Sequence, residues 1–256
     1  MTKIIAVANQ KGGVGKTTTS VNIAASLAAT RRRVLLVDLD PQGNATMGSG
    51  IDKNGLDFST FDVLMGEKGV AEARVRTESN FDLLPSNSDL TGAEVALLEE
   101  LAREVRLRKA LEQVLQSYDF IFIDCPPALN MLTVNALVAA TAVIIPMQCE
   151  YYALEGLTAL LDTIEKIRKY LNPNLKVEGL LRTMYDPRNN LANQVSAQLL
   201  KHFGDKVYRT IIPRNVRLAE APSHGQPVIT YDRSSTGSLA YLALAGEMLN
   251  REGRAA

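Results

Sequence analysis

The sequence has little cysteine, no long hydrophobic run and no excess of charge of either sign. Two cysteines in 256 residues are too few for a small secreted fold held together by disulfides. The longest apolar stretch, residues 134–147, contains polar residues and a proline and falls short of the roughly 18 residues that a membrane helix needs. No leader precedes the strand-like run at residues 3–8, so we expect a cytoplasmic protein. A hydrophobic content of 46% can form a buried core, which excludes the disordered and fibrous classes.

The zero net charge hides an uneven distribution along the chain. Residues 1–165 contain 14 basic and 21 acidic side chains, a net charge of −7. Residues 166–256 contain 14 basic and 7 acidic side chains, a net charge of +7. A basic C-terminal part indicates a region that binds a polyanion. The alternative interpretation is a solvated surface on which the charges fall by chance.

Short apolar runs rich in β-branched residues alternate with longer segments of helical pattern. This alternation is typical of βαβ units, and runs without polar alternation, such as residues 120–123, indicate strands covered on both faces. We predict one α/β domain over residues 1–256, with a mostly parallel twisted sheet flanked by helices. The predicted strands are 3–8, 33–38, 81–84, 119–124, 142–147, 176–184 and 206–212. The predicted helices are 16–30, 92–117, 153–171 and 190–203, with a looser excursion at 52–80 and a closing helix at 238–250.

Residues 10–18, Gln-Lys-Gly-Gly-Val-Gly-Lys-Thr-Thr, follow a predicted strand and open a predicted helix. This is the context of a P-loop, in which glycines let several backbone N–H groups point at one anion and the helix N-terminus adds positive charge. Lys16 would reach the β- and γ-phosphates of a nucleotide, and Thr17 would offer its hydroxyl to Mg²⁺. A glycine-rich turn without a ligand is the alternative, which the Gly15-Lys16-Thr17 sequence disfavours. The chain is therefore predicted to be a P-loop NTPase.

Three acidic residues lie at or just after the ends of predicted strands. Asp38 and Asp40 end one apolar strand and, two residues apart on an extended chain, point to the same side. One could serve the water shell of a metal ion while the other orients an attacking water, although either could instead cap the following turn. Asp124 follows the apolar run 120–123, the Walker B arrangement that holds Mg²⁺ in P-loop proteins.

The P-loop departs from the standard pattern in one respect. Gln10 stands where glycine is usual, and a second lysine, Lys11, precedes the glycine pair. This deviant Walker A form resembles the ParA/MinD family of ATPases, and most closely its Soj-type chromosome-partitioning ParA branch. The resemblance extends over essentially the whole chain through segments 38–44, 124–127, 148–156 and 212–217.

The resemblance implies ATP and Mg²⁺ as cofactors and assigns roles to particular residues. Lys11 would reach across a homodimer to the partner's nucleotide, as an arginine finger does. Asp40 would activate the attacking water. Lys16 would act in catalysis together with Lys11 and Asp40. The implied metal site consists of Thr17, Asp38 and Asp124. The implied nucleotide contacts are Lys11, Gly12, Gly13, Val14, Gly15, Lys16, Thr17 and Thr18 at the phosphates, and Met184, Pro213 and Asn215 around the adenine base.

The same resemblance implies that the basic C-terminal part binds DNA. Arg188 and Arg217 match positions that the family uses for DNA binding, although each could equally be a solvated or ion-paired surface group. The chain starts directly at its first strand, without a helix-turn-helix domain, so the ATP dimer is expected to bind double-stranded DNA without sequence preference. The implied partner is a ParB/Spo0J-type DNA-binding protein that stimulates hydrolysis, and the implied location is the nucleoid within the cytoplasm.

Two other functions on the same scaffold stay open. A MinD-like ATPase that works on a membrane surface would need a basic amphipathic C-terminal helix, but residues 239–250 contain no Lys or Arg. A metabolic or metal-carrier ATPase would need a further substrate or cluster site. Cys125 and Cys149 could suggest the iron–sulfur site of the related nitrogenase iron protein, yet their positions favour buried small hydrophobic residues.

Overall fold

The computed structural model of the protein describes residues 2–255, with side chains up to residue 253. Within these residues an eight-stranded sheet has the order β3-β4-β2-β5-β1-β6-β7-β8. All neighbouring strands are parallel except β3, which pairs antiparallel with β4 at the edge. The strands are β1 Lys3–Val7, β2 Val34–Asp38, β3 Val75–Arg76, β4 Asp82–Leu84, β5 Phe120–Asp124, β6 Ala142–Gln148, β7 Lys176–Tyr185 and β8 Val207–Pro213.

Helices cover both faces of the sheet. They are α1 Lys16–Ala29, α2 Asn44–Gly48, α3 Thr60–Met65, α4 Val70–Ala73, α5 Leu90–Glu99, α6 Arg106–Glu112, α7 Met131–Ala139, α8 Ala153–Tyr170, α9 Asn190–Phe203, α10 Val216–Glu220, α11 Val228–Tyr231 and α12 Thr236–Ala255. Short 3₁₀ turns lie at Arg103–Val105, Leu115–Ser117, Gly204–Lys206 and Ala221–His224. Among the described helices, none combines the length and the apolar character needed to cross a membrane.

Successive residues of the central strands enter two separate cores. In β5, Ile121 and Ile123 pack with the core under α5 to α9, whereas Phe120 and Phe122 pack with the core under α1 and α12. Side chains alternate across a strand, so a strand covered on both faces needs apolar residues at every position. This explains the uninterrupted apolar runs in the sequence and confirms the predicted α/β class.

The sheet brings the carboxyl ends of its central strands together. In register, Val7 of β1 and Asp38 of β2 both lie opposite Asp124 of β5. The P-loop begins directly after β1, so it starts beside both carboxyl groups. In open parallel sheets ligands bind at this edge, which is where the sequence places its candidate residues.

The predicted helix over residues 92–117 is wrong as a single element. The chain leaves helical geometry after Glu99, and Ala102 takes a left-handed backbone with φ of 53°. The buried side chain of Asn135 holds the new direction, because its Nδ2 donates to the carbonyl of Arg103 at 2.9 Å and its Oδ1 accepts from the N–H of Leu107 at 3.2 Å. Such long-range hydrogen bonds override a local helical pattern.

Two other regions contain more structure than the sequence pattern indicates. The excursion at residues 52–80 includes α3, which begins with a capping box between Ser59 and Asp62, as well as α4 and the edge strand β3. The apolar stretch 134–147 contains the end of helix α7 and most of strand β6, and Asn130 provides the N-cap of α7 by accepting from the N–H of Thr133 at 3.1 Å. These elements are short, and short elements carry too little periodicity to be recognised.

Candidate nucleotide-binding site

A cleft of about 1030 Å³ opens at the carboxyl edge of the sheet. The P-loop and α1 form one wall, the loops after β2 and β5 form the side nearest the acidic residues, and the loops after β7 and β8 close the far end. Of the residues predicted to bind nucleotide or to act in catalysis, those that line the cleft are Gly12, Gly13, Gly15, Lys16, Thr17, Thr18, Asp40, Met184, Pro213 and Asn215.

Backbone geometry and two buried side chains fix the P-loop. Gly15 has φ of 86°, a left-handed conformation that favours glycine, just before α1 begins. The hydroxyl of Thr183 on β7 donates to the carbonyl of Val14 at 2.8 Å. Asn9 donates to the carbonyl of Pro146 at 2.8 Å and accepts from the N–H of Lys11 at 3.0 Å. Val14 is buried and is not among the residues that line the cleft, so its predicted contact with the nucleotide stays a prediction.

Lys16 is a buried cation at the bottom of this loop. Its Nζ donates to the carbonyl of Lys11 at 3.2 Å. Burial lowers the pKa of Lys16, and the nearby carboxyl groups of Asp124 and Asp40 oppose that shift. A buried cation next to a cradle of backbone N–H groups is suited to bind a phosphate chain.

Asp124 and Thr17 form the core of the predicted metal site. The Thr17 hydroxyl donates to Oδ2 of Asp124 at 2.8 Å, and the Ser20 hydroxyl donates to Oδ1 at 2.7 Å. Burial, with the charge of Asp38 close by, raises the pKa of Asp124. A buried carboxylate that forms no ion pair with a cation of the described chain, next to a hydroxyl oxygen, fits the hard oxygen ligands that Mg²⁺ prefers.

Asp38 holds the loop that follows it. Its Oδ2 accepts from both the N–H and the hydroxyl of Thr46, at 2.8 and 2.7 Å, and its Oδ1 accepts from the N–H of Asp40 at 3.2 Å. Burial raises the pKa of Asp38. This geometry matches the capping alternative from the sequence, and a place for Asp38 in the metal site stays a prediction.

Asp40 faces the cleft, and one of its carboxylate oxygens accepts no hydrogen bond from the described residues. Its Oδ1 accepts from the N–H of Gln42 at 3.0 Å, and its backbone carbonyl accepts from the hydroxyl of Ser86 at 3.0 Å. The residue lies 9% exposed at the wall of the cleft. A fixed carboxylate with a free oxygen in a cleft is suited to orient a water molecule or accept its proton.

The predicted base end of the cleft contains a strained residue and a helix cap. Met184 takes a left-handed backbone with φ of 48°, an uncommon conformation for a residue with a side chain. Asn215 is the N-cap of α10: its Oδ1 accepts from the N–H of Leu218 at 3.3 Å, and its Nδ2 donates to the hydroxyl of Thr236 at 2.8 Å. The amide of Asn215 is thus largely committed to holding α10 against α12, and its predicted bond to the base edge stays a prediction.

Lys11 lies apart from the cleft that Lys16 occupies. Its side chain is 44% exposed and forms an ion pair with Glu150, in the turn before α8. It is not among the residues that line the cleft. The two lysines of the P-loop therefore differ in position, one buried within the site and one at the surface beside it.

Arg188 and Arg217 lie outside the cleft and are both ion-paired. The guanidinium of Arg188 binds both carboxylate oxygens of Asp186, at 2.9 and 2.8 Å, and lowers the pKa of Asp186 to about 2. Arg217 pairs with Glu220 at 2.8 Å and with Asp232 at 3.3 Å. Exposed ion pairs of this kind contribute little stability, so a phosphate group could compete for either arginine.

The two cysteines are buried, as predicted. Cys125 is 1% exposed and Cys149 is 4% exposed. Burial raises the pKa of both thiols, to about 11 for Cys149. Within the described residues no group of three or more Cys, His, Asp or Glu side chains is arranged to hold a metal ion.

Sequence reasoning missed several residues that shape the site. Ser20 and Thr183 act through hydrogen bonds to Asp124 and to the P-loop, as described above. Glu94 and Asn130 line the cleft, and Asn130 donates to Glu94. Ser20 follows Lys16 by one helical turn, a spacing that could have indicated it. The other three come from distant parts of the chain and carry no local signal.

Comparisons with known proteins identify relatives along the full length of the chain. A family profile described as AAA domain matches residues 2–177. The sporulation initiation inhibitor protein Soj of Bacillus subtilis is 55% identical over 249 residues, which cover 97% of this chain and 98% of Soj. The chromosome partitioning protein ParA of Caulobacter vibrioides is 53% identical over 98% of this chain and 95% of its own length.

The chain belongs to the ParA/Soj family of P-loop ATPases. Solved structures agree with this assignment. A cobyrinic acid a,c-diamide synthase from Mycobacterium smegmatis with bound ATP analog and magnesium superposes with a TM-score of 0.88 at 40% identity, covering 100% of this chain and 98% of that one. The cell division ATPase MinD of Pyrococcus furiosus gives a TM-score of 0.81 at 25% identity, covering 98% and 99%. The family resemblance inferred from the P-loop and from segments 38–44, 124–127, 148–156 and 212–217 is thereby confirmed.

Proposed function

We propose that this chain is an ATP-dependent DNA-segregation ATPase. In this proposal ATP and Mg²⁺ join two copies into a dimer, the dimer binds double-stranded DNA without sequence preference, and hydrolysis to ADP and phosphate releases it. A ParB/Spo0J-type protein stimulates the hydrolysis, and the protein acts on the nucleoid. One observation carries the proposal: the two lysines of the P-loop lie in different environments. Lys16 is buried in the cleft, whereas Lys11 is exposed outside it.

The chain's own groups are suited to bind and cleave a triphosphate. Backbone N–H groups of the P-loop and the Lys16 ammonium would hold the phosphates. Mg²⁺, held by Thr17 and Asp124, would neutralise charge on the phosphate oxygens. Asp40 would orient the attacking water through its free oxygen and accept its proton. The γ-phosphoryl group would then pass to water, leaving ADP.

Lys11 would complete the site of a second copy. A cation supplied from the partner can stabilise the charge that spreads over the transferred phosphoryl group. To do so, Lys11 must leave the exposed ion pair with Glu150, which costs little because both groups are half in solvent. Hydrolysis would then depend on dimer formation.

Two loops at the open side of the cleft would respond to the nucleotide. Asp40 and Gln42 lie on the loop after β2, and Pro126 and Pro127 lie on the loop after β5. Contacts to a γ-phosphate can order such loops, and loss of the phosphate releases them. This provides a route from hydrolysis to dissociation of the dimer.

The DNA-binding surface is proposed to contain Arg188 and Arg217. Both are exposed, and both are held by carboxylates that a DNA phosphate would displace. A dimer would present two such surfaces, which makes the affinity depend steeply on salt.

The MinD-like alternative receives little support from α12. Its apolar residues Tyr241, Leu244, Ala245 and Met248 are buried in the core. A helix that inserts into a membrane surface needs an available apolar face. Binding to DNA therefore fits the C-terminal part better than binding to lipid.

A metabolic function is the second alternative, because one solved neighbour carries the name of a synthase. Identity favours partitioning: this chain shares 55% and 53% of its residues with Soj and ParA but 40% with the synthase. A synthase activity would also require a site for another substrate in addition to the nucleotide.

The Lys16→Ala variant should lose nucleotide binding, because the buried ammonium is the main cation in the cleft. We expect the affinity for a fluorescent ATP analogue to fall at least about 100-fold, as expected for loss of a charge-assisted contact of roughly 3 kcal/mol. The exposed Lys201→Ala variant should bind normally. Unchanged affinity of the Lys16→Ala protein would refute the P-loop assignment.

The Asp40→Ala variant should bind ATP but not hydrolyse it. Loss of a general base typically lowers turnover by about 10²–10⁴-fold, which a phosphate-release assay would detect. Asp57→Ala, at an exposed position of the neighbouring excursion, is the matched control and should keep its turnover. Normal turnover by Asp40→Ala would remove the proposed role.

The Arg188→Ala/Arg217→Ala double variant should lose DNA retention. Co-sedimentation with DNA or with anionic liposomes, in ATP, ADP or no nucleotide and across a salt series, measures this. The wild type should bind DNA only with ATP, and the double variant should bind at least ten-fold more weakly at every sequence, with a shallower salt dependence. The Arg168→Ala variant, which loses an exposed ion-paired arginine on α8, should behave as wild type. Retention on liposomes alone would favour the membrane function instead.

A further inference from the structure

The last two strands of the sheet, β7 and β8, do not pair in a regular register. Leu180 of β7 lies opposite Val207 of β8. Two residues later, Arg182 lies opposite Ile211, which is four residues further along β8. One residue of β7 therefore faces three residues of β8, so β8 contains two extra residues. Extra residues of this kind form a bulge, which bends the strand and re-aims the side chains that follow. Residues 208–210 are called the β8 bulge below.

The guanidinium of Arg182 binds the carbonyl groups of the β8 bulge. Its Nη2 donates to the carbonyl of Tyr208 at 2.8 Å and to that of Arg209 at 3.3 Å. Its Nη1 donates to the hydroxyl of Ser196 on α9 at 2.9 Å. The residue is 5% exposed, and within the described residues all three of these acceptors are uncharged. Burial lowers the pKa of Arg182, because a buried cation without a carboxylate partner is costly. The carbonyl groups of the bulge offset part of that cost.

Glu247 of α12 binds the N–H groups of the same bulge. One carboxylate oxygen accepts from the N–H of Arg209 and the other from the N–H of Thr210, both at 2.9 Å. Arg251, one turn further along α12, donates to Oε1 of Glu247 at 2.8 Å. Burial alone would raise the pKa of Glu247, but the bonds from Thr210 and Arg209 outweigh it and lower that pKa. Because β8 is the last strand of the described sheet, Glu247 takes the place of a neighbouring strand.

The side chain of Tyr208 fixes the bulge from within the core. Tyr208 is fully buried, and its ring packs against the backbone of Gly179 on β7. A Cβ atom at position 179 would lie 2.5 Å from Cε2 of that ring, so a residue larger than glycine would collide with it. The guanidinium of Arg251 lies 4.1 Å from the centroid of the same ring. The bulge is thus held by side chains of β7 and α12.

The β8 bulge lies directly before the predicted base end of the cleft. Beyond the bulge, β8 ends at Pro213, which lines the cleft. On β7, Met184 lines the cleft two residues after Arg182. Between Arg182 and Tyr185, β7 contains one extra residue relative to β8, and Met184 has its left-handed backbone there. The bulge therefore determines which residue of β8 lies beside Met184.

The phosphate end of the cleft depends on a different pair of strands. Residues 144–148 of β6 and 179–183 of β7 pair in a regular register. The last of these residues, Thr183, holds the P-loop through the carbonyl of Val14. Since β8 takes no part in this pairing, a change in the bulge would shift the base end and leave the phosphate end in place.

We propose that Arg182 and Glu247 are positioning residues for the nucleotide base, because they hold the β8 bulge through its carbonyl and its N–H groups. In this way they set the spacing of Met184 and Pro213. This inference rests on the proposed function, since the family resemblance is what places these two residues around the base. Neither Arg182 nor Glu247 lines the cleft, so both would act through the bulge without contacting the nucleotide.

Tripolyphosphate, which has the three phosphates of ATP but neither base nor sugar, separates positioning from general stability. Arg182→Met keeps the bulk of the side chain and removes its donors. We expect this variant to bind ATP at least about ten-fold more weakly, because small displacements of a binding group are costly, and to bind tripolyphosphate within about two-fold of wild type. Isothermal titration calorimetry in Mg²⁺ measures both affinities. Turnover should show a KM for ATP raised by a similar factor and an unchanged kcat.

Glu247→Gln tests the same bulge from α12 and leaves the buried guanidinium intact. Its amide offers one acceptor to the two N–H groups, so the affinity for ATP should fall at least about three-fold and that for tripolyphosphate should not change. Arg209→Met is the matched control, because the exposed side chain of Arg209 lies in the bulge while its backbone forms the bonds described above. Both ligands should bind to this control as to wild type.

Thermal unfolding shows whether each variant is folded, and Glu247→Gln decides the test if Arg182→Met does not fold. An equal loss for ATP and tripolyphosphate, or no loss for either ligand, would overturn the proposal. So would a wild type that binds ATP no more tightly than tripolyphosphate. A wild type that binds ATP tightly but neither hydrolyses it nor binds DNA would count against the proposed function and not against the positioning role, because calorimetry detects binding without turnover.

Discussion

Burial of charge at one edge of the sheet is the constraint on which the site depends. The parallel register of β1, β2 and β5 places Asp38 and Asp124 next to each other, both fully buried. Burial raises the pKa of both carboxyl groups, and the charge of Asp38 adds to the shift at Asp124. Hydroxyl groups of Thr17, Ser20 and Thr46 bind them, and Lys16 lies close by. The arrangement is well suited to a bound cation and a phosphate chain, which would offset both kinds of charge.

Lys11, the second lysine of the P-loop, lies at the same edge of the sheet but outside the cleft. A P-loop with one lysine can bind and cleave a nucleotide within a single chain. Lys11 is exposed and, among the described residues, pairs with Glu150, and the proposed function gives it a role in catalysis in another copy. Under the proposed function, hydrolysis, dimer formation and DNA binding would be linked, because the nucleotide that joins two copies would also bring two basic surfaces together.

The sequence predicts the parts of this structure that depend on local pattern. The apolar runs, the glycines of the P-loop and the acids at strand ends identify the sheet and the phosphate end of the cleft, because period and spacing alone specify them. The break after α5 depends on Asn135, and the connection between Glu94 and Asn130 depends on residues 36 positions apart. The family resemblance assigns Asn215 to the base, but the bond that its Nδ2 donates to the hydroxyl of Thr236, 21 positions away, follows only from the fold. Tertiary contacts of this kind leave no mark on the neighbouring sequence.

The molecular mass of the Asp40→Ala protein in saturating ATP and Mg²⁺, measured by light scattering, tests the central claim most directly. With hydrolysis blocked, the account predicts twice the 27.9 kDa of one chain, and the mass of a single chain when Lys11→Ala is added. A single-chain mass for Asp40→Ala itself at saturating ATP would contradict the account.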